Sequence, residues 1–234
     1  QVGTLTNWSD VSLGASHTCA LRSDGTLWCW GANNTGQLGF NTTGPQAPSD
    51  PDCTNLPEIM GICVDEGCGW KATAPRCKAC TTQLTSTTCT GYSGCTWSGT
   101  ACQSSSTTSV SQTTPRQVGT DTDWTRVSLG SSTTCALKSD RSLWCWGSNT
   151  VGQLGDGTTM NRLAPVQVGT DLDWDNVSAG FQHTCARKTD GTLWCWGGNQ
   201  HGTLGDGSTV DQPLPVQVGL ATDWSTVDAG GFYT

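Results

Sequence analysis

The residues with the clearest chemical potential in this sequence are its 14 cysteines. Six of them form three pairs whose members are ten positions apart: Cys19 and Cys29, Cys135 and Cys145, Cys185 and Cys195. Each pair encloses a short polar turn sequence such as Ser23-Asp24-Gly25, so oxidation would staple a hairpin. Disulfides persist in oxidising compartments and are rare in the cytosol. The pairs therefore predict disulfide bonds and an extracellular or cell-surface location.

The other eight cysteines lie within residues 40–114, and their pairing is unknown from sequence: Cys53, Cys63, Cys68, Cys77, Cys80, Cys89, Cys95 and Cys102. So many thiols among so few aliphatic side chains predict a small module whose core is mostly disulfide. The spacing of Cys77 and Cys80 suits zinc, but the segment has neither a second Cys-x-x-Cys nor a histidine. Disulfides are the favoured interpretation, and zinc is the alternative.

The three histidines, His17, His183 and His201, lack the companions that catalysis or metal binding requires. His17 and His183 occupy one position of a repeated pattern in which Thr133 and Tyr233 also stand. A position that accepts such different side chains indicates packing rather than acid–base chemistry. No nucleophile elbow, phosphate-binding loop or His-Glu-x-x-His motif occurs. The sequence predicts no catalytic residue, no metal, no cofactor and no enzyme activity.

Three aspartates alternate in the manner of calcium ligands: Asp171, Asp173 and Asp175. An EF-hand needs Gly and Glu at its sixth and twelfth positions, where this sequence has Asn176 and Gln182. A solvated loop is therefore the favoured interpretation. The aspartates of the repeated Leu-Gly-Asp-Gly motif, Asp156 and Asp206, are expected to cap turns.

An internal repeat positions these residues. Two motifs mark it: Gln-Val-Gly begins at Gln1, Gln117, Gln167 and Gln217, and Trp-Cys-Trp begins at Trp28, Trp144 and Trp194. The last two intervals are 50 residues in both series, and the first is longer by an insertion of 66 residues. A period of this length is typical of repeat architectures. The chain therefore contains three units and the beginning of a fourth.

One uninterrupted unit, residues 167–215, has short apolar runs separated by turn residues and no helical stripe. Its runs predict strands at 176–179, 183–187 and 193–196, with a fourth at 216–218 from the start of the next unit. Four short strands in about 50 residues are typical of a propeller blade. The sequence predicts an all-β fold of three consecutive four-stranded propeller-type blades plus part of a fourth, interrupted by a small disulfide-rich module.

The turn between the second and third strands decides how the cysteines meet. A three-residue loop, Thr189-Asp190-Gly191, places Cys185 directly opposite Cys195, whereas a two-residue loop would put the sulfur atoms on opposite faces. Gly191 suits the left-handed conformation after a type I turn, and Arg141 replaces it in the middle unit, where it must carry strain or alter the turn. Both tryptophans of Trp-Cys-Trp then share the other face and are expected to pack between blades.

The unit resembles the repeat of the regulator of chromosome condensation family. The matching strings are W-x-x-V-x-x-G-x-x-H-T-C-A, D-G-T-L-W-C-W-G-x-N-x-x-G-x-L-G-D-G and P-V-Q-V-G, which in the third unit begin at Trp174, Asp190 and Pro215. The resemblance implies a β-propeller, which in this family typically has seven blades. The family includes an exchange factor for a small GTPase, secreted inhibitors of a β-lactamase and many extracellular proteins, so the fold alone does not choose the function.

The repeat and the insertion predict three segments. Residues 1–39 are the first part of the first propeller repeat, residues 40–114 are the cysteine-rich insertion with a Ser/Thr-rich linker, and residues 115–234 continue the propeller repeats and end within one. Four Asn-x-Ser/Thr triplets are candidate N-glycosylation sites: Asn41, Asn33, Asn7 and Asn176. Asn41 is favoured among them because it lies at a loop-like junction.

The net charge of the sequence limits the classes of molecule that we expect as partners. A formal net charge of -8 disfavours nucleic acid, whose binding depends on Lys and Arg displacing counterions. No stretch is long and apolar enough for a membrane span within these residues. The expected partners are proteins, among them further copies of the chain, and attached glycans are an additional expectation.

Three functions from different classes remain. We favour a non-catalytic extracellular or cell-surface scaffold or interaction module that serves as a building block of a surface assembly or filament. The favoured interpretation of the incomplete fourth unit is a segment of a longer propeller; the alternative is that residues 217–234, which repeat residues 1–18, complete a blade of a neighbouring copy. The alternatives are a secreted protein-binding inhibitor or receptor-type propeller, and guanine nucleotide exchange on a small GTPase. The predicted disulfides argue against the last.

Overall fold

The computed structural model describes residues 6–40, 111–231 and 233, together with the backbone of 95–97 and 102–104. The chain divides into two compact units, of which the first comprises Gln1–Gly44 and Ser109–Thr234 and the second comprises Pro45–Thr108. Every regular element in the described residues is a strand. Within these residues no helix has the length and apolar character that a bilayer crossing requires.

Three four-stranded antiparallel sheets form the first unit, and each is one blade. The described strands are, in chain order, β1 (Trp8–Leu13), β2 (His17–Arg22), β3 (Leu27–Gly31), β4 (Cys95–Trp97), β5 (Cys102–Ser104), β6 (Gln112–Gln117), β7 (Trp124–Leu129), β8 (Thr133–Lys138), β9 (Leu143–Gly147), β10 (Arg162–Gln167), β11 (Trp174–Ala179), β12 (His183–Lys188), β13 (Leu193–Gly197) and β14 (Gln212–Gln217). Blade 1 is β1-β2-β3-β6, blade 2 is β7-β8-β9-β10, and blade 3 is β11-β12-β13-β14. The prediction of three blades is confirmed, and the insertion separates the third and fourth strands of blade 1.

The turn between the second and third strands has three residues in each blade. In blade 3, Lys188 N–H donates to Thr192 O (3.0 Å) and Gly191 N–H donates to Lys188 O (3.0 Å). Asp190 Oδ1 accepts from the backbone N–H and the hydroxyl of Thr192 at 2.9 and 2.7 Å, which holds the turn closed. The resulting register places Cys185 directly opposite Cys195.

Arg141 carries the strain that its two glycine counterparts avoid. Its φ is 66°, close to the 76° of Gly25 and the 80° of Gly191. An L side chain in this region costs about 1–2 kcal/mol relative to right-handed backbone, whereas glycine adopts it freely. Arg141 therefore accepts the left-handed conformation, and the turn is not altered.

The variant Arg141→Gly is expected to raise the free energy of unfolding by about 0.5–1 kcal/mol, since glycine relieves this strain but adds freedom to the unfolded chain. Equilibrium denaturation with intact disulfides measures the change. The matched control is Arg126→Gly at an exposed position of β7, which should lower the free energy of unfolding by about 0.5–1 kcal/mol. Destabilisation by Arg141→Gly would contradict the assignment of strain.

The fourth strand differs from the sequence-based prediction. The sequence placed it at 216–218, whereas the structure has it at Gln212–Gln217, earlier in the chain and twice as long. The prolines at 213 and 215 obscured this strand, because proline cannot donate to a ladder. β14 pairs only with β13, so its second edge is open and tolerates residues without an N–H group.

Each blade buries one face against the next blade. We call these the cysteine face, which carries the disulfide, and the tryptophan face, which carries the first-strand tryptophan and the last residue of Trp-Cys-Trp. Between blades 1 and 2, the core contains Cys19, Leu21, Leu27, Cys29 and Leu38 from the cysteine face and Trp124, Val127, Leu129, Ala136 and Trp146 from the tryptophan face. Equivalent residues form the core between blades 2 and 3. The tryptophans thus pack between blades.

Residues 218–231 take the place of the first strand of a fourth blade. Val218 and Val227 pack against the cysteine face of blade 3. Ala229 N–H donates to Ser178 Oγ (2.9 Å), just as Ala179 N–H donates to Ser128 Oγ (3.0 Å) between blades 2 and 3. This segment is the predicted part of a fourth blade.

In the second unit, the described backbone is one antiparallel hairpin of β4 and β5, with Trp97 opposite Cys102. Other sites expected in the insertion lie outside the described residues: Cys53, Cys63, Cys68, Cys77, Cys80, Cys89, the side chains of Cys95 and Cys102, and Asn41. Their disulfide pairing, the zinc alternative and the glycan at Asn41 stay predictions.

Candidate interaction site

Each of the three blades contains one disulfide, which joins its second strand to its third. The structure joins the hairpin cysteines of every blade: Cys19 to Cys29, Cys135 to Cys145 and Cys185 to Cys195, each with Cα atoms 4.1 Å apart. All six are buried: those of blades 1 and 2 lie between blades, and Cys185 and Cys195 pack with Val218 and Val227. The bonds therefore serve the architecture, and none of them is placed for thiol chemistry at the surface.

The turn end of blade 3 holds a lysine between aromatic rings and carboxylates. Lys188 Nζ lies 2.6 Å from Asp171 Oδ2 and 3.2 Å from Asp173 Oδ1. It also lies 4.9 and 5.0 Å from the ring centroids of Trp174 and Trp194. Burial lowers the pKa of Lys188, but the two carboxylates outweigh this effect and hold it above its ordinary value. The lysine is therefore charged and anchors the start of β11.

Asp171 and Asp173 lie in an exposed loop before β11, as expected, and both also form ion pairs with Lys188. Asp175 pairs with Arg187, so all three of these carboxylates face a cationic side chain. A calcium ion needs six to eight oxygen ligands, and a neighbouring ammonium group opposes its binding. Among the residues with described side chains, no three metal-binding groups converge.

The opposite end, which we call the loop end, is organised around a buried asparagine in each of the last two blades. In blade 3, Asn199 Nδ2 donates to Asp206 Oδ1 (3.0 Å) and Ser208 O (3.1 Å), while Asn199 Oδ1 accepts from Leu204 N–H (3.0 Å). Burial raises the pKa of Asp206, but hydrogen bonds from Ser208 and its other partners together hold it below its ordinary value. Asp206 caps this turn, and Asp156 does the same in blade 2.

A cavity of about 60 Å³ opens at the loop end of blade 3. Its lining includes Val151, Gln182, His183, Gln200, His201 and Thr203. Burial lowers the pKa of His183, so its imidazole is neutral at neutral pH. Ligand pockets usually enclose about 300–1,000 Å³. This cavity is too small to enclose a substrate of ordinary size.

His17 has the same repeat position as His183, and it lies between blades 1 and 2. Its Nε2 lies 2.9 Å from Thr134 Oγ1, which itself donates to Gln37 O at 2.8 Å. His17 Nε2 must therefore carry the proton and donate to the threonine. Burial lowers the pKa of His17 to about 4. His17 thus fastens blade 1 to blade 2 as a neutral ring.

The meeting of His183 and His201 in one cavity was not foreseen from the sequence. Most of β12, a turn, the whole of β13 and part of a loop separate them in the chain, and only the shared direction of the β11–β12 turn and the β13–β14 loop brings them together. Both loops leave the same end of one blade, which is the signal that could have indicated the juxtaposition. Beside this cavity, Phe181 exposes 45% of its surface at the β11–β12 turn.

The glycosylation candidates differ in environment. Asn7 is exposed, but its Oδ1 accepts two hydrogen bonds from Arg22 at 2.8 and 3.0 Å and its Nδ2 donates to Ser23. Asn33 Nδ2 donates to Phe40 O (2.8 Å) inside a packed loop. Asn176 is half-buried within β11. An attached glycan would have to replace existing contacts at Asn7 and Asn33.

Comparisons with known proteins identify the repeat. The regulator of chromosome condensation (RCC1) repeat matches residues 24–73, 140–187 and 190–234, which together exceed half of the chain. A second description of the same repeat matches residues 8–37, 124–153 and 174–203, one stretch in each blade.

A solved structure shares the fold of these blades. Prp20p from Saccharomyces cerevisiae, described with binding properties to Gsp1p and histones, is 17% identical with a TM-score of 0.61, over 97% of this chain and 43% of that chain. Human WBSCR16 is 19% identical with a TM-score of 0.49, over 96% of this chain and 56% of that chain. This chain thus spans about half the length of these structures. Because the repeat matches over more than half of the chain and the three sheets have the propeller-type fold, the chain belongs to the RCC1 repeat family.

Proposed function

We propose that this chain is a non-catalytic extracellular or cell-surface scaffold and protein-interaction module. The observation that carries the proposal is the buried disulfide in each of the three blades. Such bonds form and persist in oxidising compartments. In a reducing nucleus or cytosol the same six cysteines would stay thiols, so we do not propose nucleotide exchange on an intracellular GTPase.

The chemistry of the loop end supports binding rather than catalysis. The residues that line its cavity include neutral His183 and the carboxamides of Gln182 and Gln200, without a carboxylate, lysine or cysteine among them. General acid–base catalysis needs a group whose pKa lies near the working pH and which reaches the substrate. The lowered pKa of buried His183 moves it away from that range, and the cavity lining gives His201 no carboxylate, lysine or cysteine as a catalytic companion.

Phe181 favours a second candidate, a secreted inhibitor or receptor-type propeller that grips one protein through its loop end. Aromatic side chains that are partly exposed beside polar groups are typical anchors of protein interfaces. Phe181 meets this description, since Gln182 follows it directly and lines the neighbouring cavity. In both candidates the cysteine-rich insertion, residues 40–114, is a separate module that projects a contact surface, and Asn41 is the preferred glycan site.

The test of the proposed compartment uses native protein from its producing cells, alkylated before denaturation and digested without reductant. We expect peptides that contain Cys135 and Cys145 to be joined, and likewise the pairs of the other two blades. Recovery of these cysteines as alkylated free thiols, or of the protein from the cytosolic fraction alone, would contradict the proposal. A duplicate digest treated with reductant is the control, because it must release every joined pair.

A further inference from the structure

In blades 2 and 3, the residue after the Leu-Gly pair that follows the third strand contacts the fourth strand. In blade 2, Asp156 Oδ2 accepts a hydrogen bond of 2.6 Å from Nε of Arg162, the first residue of β10. In blade 3, Nε2 of Gln212, the first residue of β14, donates to Asp206 Oδ2 at 3.3 Å. The two partners are six positions apart in both cases. We call this the base contact, because it joins the two ends of a short loop.

Blade 1 cannot form the polar base contact, because Phe40 occupies the position of the two aspartates and has no carboxylate. A second residue of blade 1 also departs from the repeat: Arg116 on β6 stands where the other blades have Val166 and Val216. The guanidinium carbon of Arg116 lies 4.6 Å from the centroid of the Phe40 ring, which is a cation–π distance. The two departures from the repeat thus meet in one contact, which again joins the end of the third-strand loop to the fourth strand.

The surroundings of this contact favour a strong cation–π interaction. Phe40 exposes 3% of its surface and belongs to the core between blades 1 and 2, together with Trp146. Arg116 is half-buried and is paired with Cys29 across the β3–β6 ladder, so its side chain lies on the cysteine face. The ring is shielded from water and the cation is partly desolvated, and both conditions strengthen the attraction between them.

The contact lies where the insertion begins and ends. Phe40 and Arg116 are 76 positions apart along the chain, compared with six in the other two blades. The entropic cost of holding the ends of a loop together rises with its length. Within the described residues β6 pairs only with β3, so no strand on its other side helps to hold it. Blade 1 therefore has the greatest need of a contact at this position.

We propose that Phe40 and Arg116 form a clamp that closes the base of the insertion and holds β6 in blade 1. The clamp isolates the blade from the insertion, so that a change of shape within the insertion, or binding of a partner to it, does not open the β3–β6 ladder. The inference rests on the proposed function in one respect, which is that it treats the insertion as a separate contact module.

The variant Arg116→Val tests the clamp in the full chain with its disulfides intact. Valine is the residue of the other two blades at this position, so the strand accepts it. Native-state hydrogen exchange, read strand by strand, is the measurement. We expect exchange in β6 to become at least tenfold faster, while exchange in β10 of the same molecule stays within threefold of the unmodified chain. Unchanged exchange in β6, or equal acceleration in β10, would overturn the inference.

A double-mutant cycle shows whether Arg116 acts through the Phe40 ring. Phe40→Leu keeps an apolar side chain in the core but removes the ring. In this background, addition of Arg116→Val should change the exchange of β6 by less than threefold, because the cation has already lost its partner. A tenfold acceleration by Arg116→Val in both backgrounds would show that Arg116 holds the strand without the ring, and would refute the clamp.

Blade 2 provides a matched control with a short loop. Arg162→Gln replaces the cation of its base contact by the residue that blade 3 has as Gln212. We expect exchange in β10 to stay within threefold, because only a short loop separates the two partners. Acceleration in β10 as large as that in β6 for Arg116→Val would contradict the link between the clamp and the length of the insertion. None of these results would alter the disulfide mapping that tests the proposed function.

Discussion

Replacement of Trp146 by alanine is expected to lower the free energy of unfolding by about 3–5 kcal/mol. Trp146 is fully buried in the core between blades 1 and 2, where its ring lies 6.0 Å from that of Trp124. Its Nε1 donates to the carbonyl of Gln37 at 3.1 Å, so truncation also removes a bond between the two blades. The substitution combines an internal cavity with the loss of a buried hydrogen bond, and both effects destabilise the native state.

The repeat provides matched controls for this variant. Trp196 has the same surroundings in blade 3, including a bond to the carbonyl of Gln153, so Trp196→Ala should destabilise as strongly. Trp30 has the same position in blade 1 and is only half-buried in this structure. Trp30→Ala should therefore lower the free energy of unfolding of this chain by about 1–2 kcal/mol.

Guanidinium denaturation followed by circular dichroism, with disulfides intact, measures all three variants on a common scale. A further variant, Trp146→Phe, keeps much of the apolar contact but removes the N–H donor. It should lower the free energy of unfolding by about 1–2 kcal/mol relative to the unmodified chain. Equal losses for Trp30→Ala and Trp146→Ala would contradict the role of inter-blade burial, because the two differ mainly in their covering by a preceding blade.

The features that sequence could predict are those that depend on local spacing. The ten-residue spacing of Cys185 and Cys195 implies a three-residue turn, because a change of one residue in the loop would move one sulfur to the other face. The period between Trp144 and Trp194 likewise implies identical blades. Both inferences need only strand alternation and a counting argument, and the fold they lead to is confirmed in the three described blades.

The features that sequence could not predict depend on contacts between repeats. Asn33 has the pattern of a glycosylation triplet, but its amide is committed to Phe40 O across a loop whose shape the triplet does not reveal. The sequence does not reveal the ion-pair partners of Lys188, because β11 and most of β12 separate this residue from Asp171 and Asp173 along the chain. The prolines of β14 are unfavourable in a central strand, and only the sheet order reveals that this strand lies at the edge.

We expect acid to destabilise the junction between blades 1 and 2, because His17 is buried there. Burial lowers the pKa of this histidine from 6.5 to about 4. Its Nε2 proton is used in the bond to Thr134, and within the described part of the chain its Nδ1 is buried without a hydrogen-bond partner. Protonation of Nδ1 would therefore place an uncompensated charge between the blades.

The direction of the pH dependence follows from these two values. The folded pKa lies below the unfolded one, so the unfolded chain binds the proton more readily. The contribution of neutral His17 to stability is present above pH 6.5 and is lost as the pH falls from 6.5 to about 4. A shift of this size corresponds to about 3 kcal/mol.

Comparison of the unmodified chain with His17→Thr isolates this contribution. Threonine occupies the equivalent position of blade 2 as Thr133, so the repeat tolerates it. His183, whose pKa is also lowered by burial, titrates in both proteins, as do the turn aspartates such as Asp190, and their effects cancel in the difference. The difference in unfolding free energy between the two proteins should be constant above pH 7 and should shift by about 3 kcal/mol in favour of the threonine variant by pH 4. A difference that does not change with pH would show that the His17 ring reaches solvent before the blades separate.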